Sequence, residues 1–313
     1  MIRDLHRFQE CPGCASHIRE CDVLFSVEMF GSPCDVLKCR PCGLVFKEHY
    51  PGDLHNLYTT DYVHFCQAQA PGAAELISAR QKLRRCQRFL GRRKEAVDIR
   101  LLDVGCGGGQ FVRMARSLGY CAEGIDPFLP EHLTEAGVSR SKPEDLPAAS
   151  YDIVTLLNVA EHATDPGALF AAVGRLIRPC GVLLVTCPYG DSWARRLYKA
   201  RWAHLALDEH ILFWTPSSLN RALTRSGFIE KSNVRIAGSP FPYGLIRNVH
   251  ECSKSMPIPK VTHQTLQHQA LQQRAWQLAR WIQAREGLGN VVRRLVHMTQ
   301  FGDYLEYVVR KSN

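Results

Sequence analysis

The sequence lacks any apolar run approaching the roughly 20 residues that a membrane-spanning helix requires. Its N-terminal stretch, MIRDLHRFQE, also lacks the apolar core of a secretory signal. We therefore expect a cytoplasmic protein. Without an export signal, its 13 cysteines, an odd number, do not suit a disulfide framework and instead favour metal ligands or buried thiols.

The composition has no bias that would exclude an ordinary globular protein, since 45% of the 313 residues are hydrophobic and 22% are charged. The length allows one large domain, or a large domain and a small one. The net charge of +9 is uneven, because nine basic residues stand between Arg80 and Arg100 against only Glu95 and Asp98. Solvated helix faces and an anionic partner, either a phosphorylated small molecule or nucleic acid, both explain this charge.

Two Cys-x-x-Cys pairs stand 24 residues apart near the start of the chain: Cys11 with Cys14, and Cys39 with Cys42. Each pair sits in a tight turn that points two thiolates the same way, and two such turns complete a tetrahedron around Zn²⁺. The alternative is that the four cysteines only fill a small core, but so short a segment has little apolar surface to fold without a staple. We predict a closed, structural zinc site in a zinc ribbon and linker over residues 1–62. Cys21 and Cys34 lack the spacing and are expected to pack.

Strand and helix patterns alternate along the rest of the chain, residues 70–313, and predict an α/β fold with a parallel sheet covered on both faces. Ligands of such sheets bind at the carboxyl ends of the strands. Four features fall at predicted strand ends: the stretch LLDVGCGGG over residues 101–109, Asp126, Asn158 and Pro188.

The glycine-rich stretch does not suit a phosphate ligand. It has no Gly-Lys-Ser/Thr for a nucleoside triphosphate, and Gln110 stands where a dinucleotide fingerprint has its last glycine. Asp103, two residues before Gly105, would place a negative charge beside a pyrophosphate. It instead suits a cationic ligand such as S-adenosylmethionine, which carries a sulfonium, an ammonium and a ribose but no phosphate.

The motifs from LLDVGCGGG through PEDLP, YDIVTLLN and AEHATDP to a strand ending in CP resemble, in order and spacing, the class I methyltransferases over residues 75–235. The resemblance implies a seven-stranded Rossmann-like sheet and S-adenosylmethionine as cofactor. It implies that Asp103 helps to hold the methionine end and that Asp126 accepts both ribose hydroxyls. Glu161 and His162 are expected to be mainly structural. The remaining predicted cofactor residues are Gly105, Gly107, Gly109, Glu144, Asp145 and Asn158.

The segment after the fifth predicted strand is aromatic and basic, which suits a pocket for an anionic, ring-shaped substrate or, nearly as well, an amphipathic surface helix. Within it, Glu209-His210 followed by ILF resembles the EHxxxF stretch of zinc-ribbon methyltransferases that act on sugars and related metabolites. The resemblance implies that His210 is a general base oriented by Glu209; a purely structural histidine is the alternative. Leu207 replaces the tyrosine of the sugar C-methyltransferases, which disfavours C-methylation.

Residues 240–300 do not match the methyltransferase core and predict a helical insertion, suited to a lid or an oligomer contact. After it, GDYLEYVVRK alternates like an edge strand, which we expect to pair antiparallel with the strand near Phe228. The leading hypothesis is methyl transfer to a hydroxyl of a small polar acceptor, anionic or nucleotide-linked, such as a sugar. The alternatives are an RNA methyltransferase that grips phosphates with its ribbon and basic patches, and a non-catalytic cofactor-binding protein.

Overall fold

The computed structural model describes residues 5–52, 72–90, 94–135, 137–205, 209–237 and 302–312. No helix within these ranges is long and apolar enough to span a membrane. The predicted insertion at 240–300, the junction between residues 62 and 70, and Leu207 lie outside the described residues. The strands and α-helices, numbered here in chain order, are β1 Leu5–Arg7, β2 Cys21–Met29, β3 Ser32–Cys39, β4 Val45–Lys47, β5 His49–Pro51, α1 Ala73–Phe89, β6 Arg100–Val104, α2 Gln110–Ser117, β7 Cys121–Ile125, β8 Val138–Ser139, β9 Tyr151–Leu157, α3 Pro166–Leu176, β10 Ile177–Pro188, α4 Trp193–Tyr198, β11 Leu212–Phe213, α5 Pro216–Arg225, β12 Phe228–Ala237 and β13 Tyr304–Lys311.

A seven-stranded sheet forms the body of the molecule, in the order β12-β13-β10-β9-β6-β7-β8. The strands from β10 to β8 are parallel, and β13 is antiparallel to both of its neighbours. Strands β9 and β10 are buried almost throughout, as expected for parallel strands covered on both faces. The predicted α/β class and seven-stranded sheet are confirmed.

Successive residues of the central strands contact helices on opposite faces of the sheet. Leu101 packs in a cluster with α1 and α2, whereas the next residue, Leu102, packs in a cluster with α3 and α5. The helices begin where the sequence indicates: the Asp165 carboxylate accepts from the amide of Ala168 at 2.9 Å, and Thr215 caps α5 in a reciprocal capping box. The helices cover the two faces of the sheet and not the carboxyl ends of its parallel strands.

The last strand, β13, pairs antiparallel with β12 as predicted, but it is not an edge strand. It lies between β12 and β10, and most of its residues are buried. Its alternation was a misleading signal because a strand with two neighbours and helices on both faces is buried whatever the order of its side chains. The edge position belongs to β12.

A second, four-stranded sheet has the order β11-β4-β3-β2 and joins the N-terminal region to the body. Strands β2 and β3 form a hairpin whose two turn residues, Phe30 and Gly31, have φ angles of +49° and +79°, as a two-residue hairpin turn requires. Strand β11 comes from the segment that follows His210, about 165 residues after β4. The N-terminal region and the predicted acceptor segment are therefore parts of one sheet.

The aromatic residues of the acceptor segment do not suit the expected ring-binding pocket. Trp202, Phe213 and Trp214 are almost fully buried. Trp202 and Phe213 pack against Val36 and Val45 of the second sheet. These side chains form hydrophobic core between the two sheets. The local sequence pattern could not predict this, because it does not show that a second sheet packs against the segment. Of the aromatic residues of helix α4, Trp193 and Tyr198 are partly buried.

Candidate functional site

The glycine-rich turn follows β6 and leads into α2. Gly105, Gly107 and Gly109 have φ angles of +72°, +50° and +74°, the left-handed region that favours glycine. A Cβ atom on Gly105 would lie 2.5 Å from a methyl carbon of Val159, the second residue after β9. The turn is thus held against the neighbouring strand end, which leaves no room for a side chain at Gly105.

Asp103 lies at the end of β6 and is 2% exposed. Its carboxylate accepts a hydrogen bond from the Thr155 hydroxyl at 2.5 Å. Burial raises the pKa of Asp103 to about 7, and the nearby charge of Asp126 raises this pKa further, whereas the Thr155 hydrogen bond lowers it. A buried carboxylate in this state is stabilised as an anion when a cation comes close. The predicted role beside the ammonium of the cofactor fits this environment.

Asp126 follows β7 and faces the glycine turn. One of its carboxylate oxygens accepts from the amide of Gly107 at 2.9 Å and the other from the amide of Phe128 at 2.9 Å. Each carboxylate oxygen can accept more than one hydrogen bond, so these contacts orient the group and leave acceptor capacity. Its role toward the ribose hydroxyls stays a prediction.

The predicted adenine contacts lie in an exposed turn, the 3₁₀ helix Pro143–Asp145. The Asp145 carboxylate accepts from the amide of Lys142 at 2.7 Å and so fixes the turn, while Glu144 is exposed. Asn158 follows β9 with a φ of +58°, a strained value for a residue other than glycine. The Thr186 hydroxyl donates to its side-chain oxygen at 3.3 Å. Asn158 is exposed at the strand ends, where the cofactor is expected.

The four predicted metal ligands come together in the N-terminal region as one cluster. The Sγ atoms of Cys11 and Cys42 are 3.6 Å apart, and so are those of Cys14 and Cys39. Four thiolates about 2.3 Å from a tetrahedral zinc ion lie about 3.8 Å from one another, so these separations fit the ion. Burial raises the pKa of Cys39 to about 12. A hydrogen bond with Cys11 lowers the pKa of Cys42 to about 5, and a cation among the sulfurs would favour the thiolate form of the others.

The two cysteines expected to pack lie on the β2–β3 hairpin. Cys34 is buried, and Cys21 lies opposite Cys39 in the β2–β3 pair. Burial raises the pKa of Cys21 to about 11, whereas a hydrogen bond with Cys39 lowers it. The four-cysteine set that the sequence predicted is the one whose sulfur atoms lie close enough to share an ion.

His210 lies beside His162, and their rings meet edge to face with centroids 4.8 Å apart. The Nδ1 atom of His210 is 2.8 Å from the carbonyl oxygen of His204, and Nδ1 of His162 is 3.0 Å from the carbonyl oxygen of Glu209. Backbone carbonyls, rather than the expected Glu209 carboxylate, thus meet Nδ1 of both rings, and the Glu209 residue is exposed. Burial lowers the pKa of His162 to about 4 and that of His210 well below its usual value. Both rings are neutral at pH 7.

Glu161, taken as structural from the sequence, is fully buried between these histidines and the sheet. Neither of its carboxylate oxygens has a hydrogen-bond partner among the described residues. Burial raises the pKa of Glu161 to about 8. In the sequence only the adjacent pair Glu161-His162 could indicate that these side chains lie together. His210 is 48 residues after His162, and only the folded chain brings it beside that pair.

A basic residue that the sequence did not single out also lies here. Lys47 of β4 is fully buried, and its backbone amide donates to the carbonyl of Ile211 at 2.9 Å. Its charge contributes to the lowered pKa of both His162 and His210. The second sheet therefore brings a cation toward the histidine pair, and no local motif in the sequence indicated this.

Comparison with known proteins gives a methyltransferase domain family over residues 74–229. A ubiquinone biosynthesis O-methyltransferase of Azorhizobium caulinodans is 30% identical over 135 residues, which cover 39% of this chain and 51% of that protein. One from a Caulobacter species is 27% identical over 187 residues, 54% of this chain and 71% of that protein. The chain thus spans about half the length of the first of these relatives.

Among solved structures, a SAM-dependent methyltransferase of Archaeoglobus fulgidus matches with a TM-score of 0.45 and 19% identity, covering 83% of this chain and all of that one. Phosphoethanolamine N-methyltransferase 2 of Haemonchus contortus, in complex with S-adenosyl-L-methionine, matches with a TM-score of 0.48 and 18% identity over 93% of this chain and 71% of that one.

The family match covers the glycine turn, Asp103, Asp126 and all the parallel strands of the seven-stranded sheet. The chain belongs to the class I S-adenosylmethionine-dependent methyltransferases. In this methyltransferase the glycine turn and the Glu161–His162 pair follow neighbouring strands, β6 and β9. The glycine turn and the Glu161–His162 pair are therefore adjacent at the carboxyl ends of the strands.

Proposed function

We propose that the protein transfers the methyl group of S-adenosylmethionine to a hydroxyl oxygen of a small-molecule acceptor. The observation that carries the proposal is the adjacency just described: a glycine turn with two buried carboxylates beside a pair of neutral histidines. In the reaction the bond between carbon and sulfur breaks, a bond between carbon and the acceptor oxygen forms, and S-adenosylhomocysteine leaves. Holding the two reacting atoms at roughly 3–3.5 Å supplies the larger share of the acceleration.

The names of the relatives support oxygen as the acceptor atom, since they are O-methyltransferases. An acceptor with a ring hydroxyl, whether phenolic or on a sugar, fits both these names and the half-buried histidine pair. RNA is a weaker candidate because part of the basic stretch has acidic partners within the protein. Lys82 and Arg85 contact Glu306 at 3.1 and 2.5 Å, and Lys94 contacts Asp152 at 2.6 Å.

His210 is the proposed group that meets the acceptor hydroxyl. With Nδ1 held at a carbonyl oxygen, Nε2 is the ring atom left to accept the proton as the hydroxyl oxygen attacks. Burial lowers the pKa of His210, so the ring is neutral at pH 7 and can accept a proton, although the lowered pKa also makes it a weaker base. Proton removal of this kind contributes roughly 10²–10⁴-fold to a rate.

The four-cysteine cluster is proposed to hold a structural zinc ion. Its contacts with the body explain why it matters to the acceptor side: the Ser217 hydroxyl donates to the carbonyl of Cys42 at 2.9 Å, and β4 pairs with β11 directly after His210. The cluster offers four sulfurs, which leaves no open position for substrate. The ion would thus stabilise the second sheet and take no part in the reaction.

The test is conversion of S-adenosylmethionine to S-adenosylhomocysteine in the presence of a set of phenolic, catecholic and sugar acceptors, followed by mass spectrometry. We expect a product heavier by one methylene unit with the new methyl on oxygen. His210→Ala should bind the cofactor as the parent does and lose roughly 10²–10⁴-fold in turnover. His132→Ala, which removes an exposed histidine, is the control and should keep both. Methylation of nitrogen or carbon, or a His210→Ala variant that turns over at the parental rate, would contradict the proposal.

A further inference from the structure

Glu161, His162 and His210 form a three-residue cluster in which each side chain offers one ligand atom, and these atoms all lie within 4.8 Å of one another. Two segments meet to build the cluster. The carbonyl oxygen of Glu161 accepts from the amides of Ile211 and Leu212 at 2.9 and 3.0 Å, which ties the segment after β9 to the segment that carries His210. The three side chains are therefore held together by backbone pairing.

No hydrogen bond among the described residues explains the burial of the Glu161 carboxylate. Its side chain is fully buried, and neither oxygen meets a donor in the part of the chain that the structure describes. The indole N–H of Trp214, a buried donor close by, instead goes to the carbonyl of Ala160 at 3.0 Å. Burying a carboxylate without a partner costs several kcal/mol, so such a group is retained where a ligand completes it.

The two histidines are arranged as metal ligands are. Each Nδ1 meets a backbone carbonyl, that of Glu209 for His162 and that of His204 for His210. Histidines that bind a metal through one ring nitrogen commonly donate the other N–H to a carbonyl, which fixes the tautomer and the direction of the ring.

We propose that Glu161, His162 and His210 bind a divalent transition-metal ion, such as Zn²⁺, Mn²⁺ or Fe²⁺, at a site separate from the four cysteines. Two imidazoles and one carboxylate suit these ions and leave coordination positions open for another ligand. Ligand atoms bound at about 2.0–2.2 Å lie about 3–4 Å apart, so small side-chain rotations close the set around the ion.

The consequence for the reaction rests on the proposed function. An ion at this site would bind the acceptor oxygen and lower the pKa of its hydroxyl; His210 would then be a metal ligand in place of the proton acceptor of the proposed function. One nearby charge opposes the cation: Lys47 contributes to the lowered pKa of both histidines. The Glu161 carboxyl group would supply an offsetting negative charge once the ion displaces its proton.

The binding test uses the full chain, purified with its cysteine-bound metal in place, and Co²⁺ as the probe, without cofactor or acceptor. Titration should show one further equivalent of Co²⁺ per chain, with the weak visible bands of nitrogen and oxygen ligation and without a thiolate charge-transfer band. Glu161→Gln and His210→Ala should each lower the affinity at least about 10–100-fold, the range for losing even an outer-shell group. His132→Ala removes an exposed histidine and should leave the affinity unchanged.

A parent protein that binds no Co²⁺ beyond its cysteine site would overturn the proposal, and so would equal affinity in the parent and both cluster variants. If Glu161→Gln fails to fold, His162→Ala and His210→Ala carry the test, with a Co²⁺-dependent rise in Tm expected only for the parent and His132→Ala. Because the titration contains neither S-adenosylmethionine nor acceptor, a failure of the proposed methyl transfer does not affect its outcome.

Discussion

The proposed cofactor side and the proposed acceptor side of the molecule are built in different ways. On the cofactor side, Asp103 lies in β6, the glycine turn follows that strand, and Asp126 follows its direct neighbour β7. On the acceptor side, Lys47, Glu161 and His210 come from three distant segments, and the second sheet brings them together. A site of the first kind is specified locally, whereas a site of the second kind depends on the whole fold. Variants should therefore damage the two sides differently.

The largest effect should come from removing a cysteine of the four-sulfur cluster. Cys39→Ser takes one of four ligands from an ion that contributes ~10–16 kcal/mol to small zinc modules. We expect the second sheet to unfold and turnover to be lost, while residual S-adenosylmethionine binding marks the cofactor side as independent. Elemental analysis should give about one fewer zinc per chain, and circular dichroism should report the unfolding.

Cys121→Ser is the matched control, because Cys121 is exposed and lies in β7, away from the cluster. It should keep the metal content and the Tm of the parent. If Cys39→Ser keeps its zinc and its Tm, the cluster does not hold a structural metal.

The next effect concerns the glycine turn. Gly105→Ala combines a φ of +72° with a Cβ 2.5 Å from Val159, so it should lower stability and weaken S-adenosylmethionine binding together. Gly227→Ala is the control, because its φ is +85° but nothing lies within 4 Å of its Cβ. The left-handed conformation alone costs roughly 1–2 kcal/mol. Thermal unfolding and calorimetry should show a larger loss of stability and of affinity for Gly105→Ala than for Gly227→Ala. Equal losses would show that the contact with Val159 does not matter.

A smaller effect is expected at Asp126, where the main change is in cofactor affinity. Asp126→Ala should weaken S-adenosylmethionine binding by about 1.5–3 kcal/mol, the value of a hydrogen bond to a charged group, which is roughly a 10- to 150-fold loss. Asp126→Asn keeps one acceptor oxygen for the backbone amide of Gly107 or Phe128 and separates loss of charge from loss of the turn. Unchanged affinity in both variants would show that a residue other than Asp126 contacts the ribose.

The smallest effect is a pH dependence at Asp103. Its raised pKa of about 7 means that the carboxyl is largely neutral below pH 7, whereas the ammonium of the cofactor favours the ionised form. Affinity for S-adenosylmethionine should therefore rise as the pH increases from 6 to 7.5, by at most about tenfold per pH unit. In Asp103→Asn this slope should vanish. A parent affinity that stays flat over this range would show that Asp103 does not face the cofactor's charge.

Much of the cofactor side could be predicted from the sequence because each of its motifs is contiguous. The strand before Gly105, the glycine positions and the aspartate after β7 are set by local spacing, and so were the capping residues Asp165 and Thr215. The pairs Cys11–Cys14 and Cys39–Cys42 were found for the same reason, since two residues between cysteines suffice to make a tight turn.

The acceptor side could not be predicted in the same way. The pairing of β4 with β11 joins residues about 165 positions apart, and the sequence pattern of neither segment indicates which strand it pairs with. Neither a ring-binding pocket nor a surface helix, the two interpretations of the aromatic segment, describes Trp202, Phe213 and Trp214, which are core. The structural role expected for Glu161 stays a prediction. Burial of its carboxylate without a partner is visible only in three dimensions.

The most direct test of the central claim is a calorimetric titration of the parent protein with S-adenosylmethionine, S-adenosylhomocysteine and NAD⁺. We expect S-adenosylmethionine and S-adenosylhomocysteine each to bind at one site per chain. NAD⁺ should not bind, because Asp103 and Gln110 do not suit a pyrophosphate. We also expect His210→Ala to give the same titration as the parent, since that residue belongs to the acceptor side. A protein that binds NAD⁺, or binds neither S-adenosylmethionine nor its demethylated product, would contradict the assignment of the cofactor.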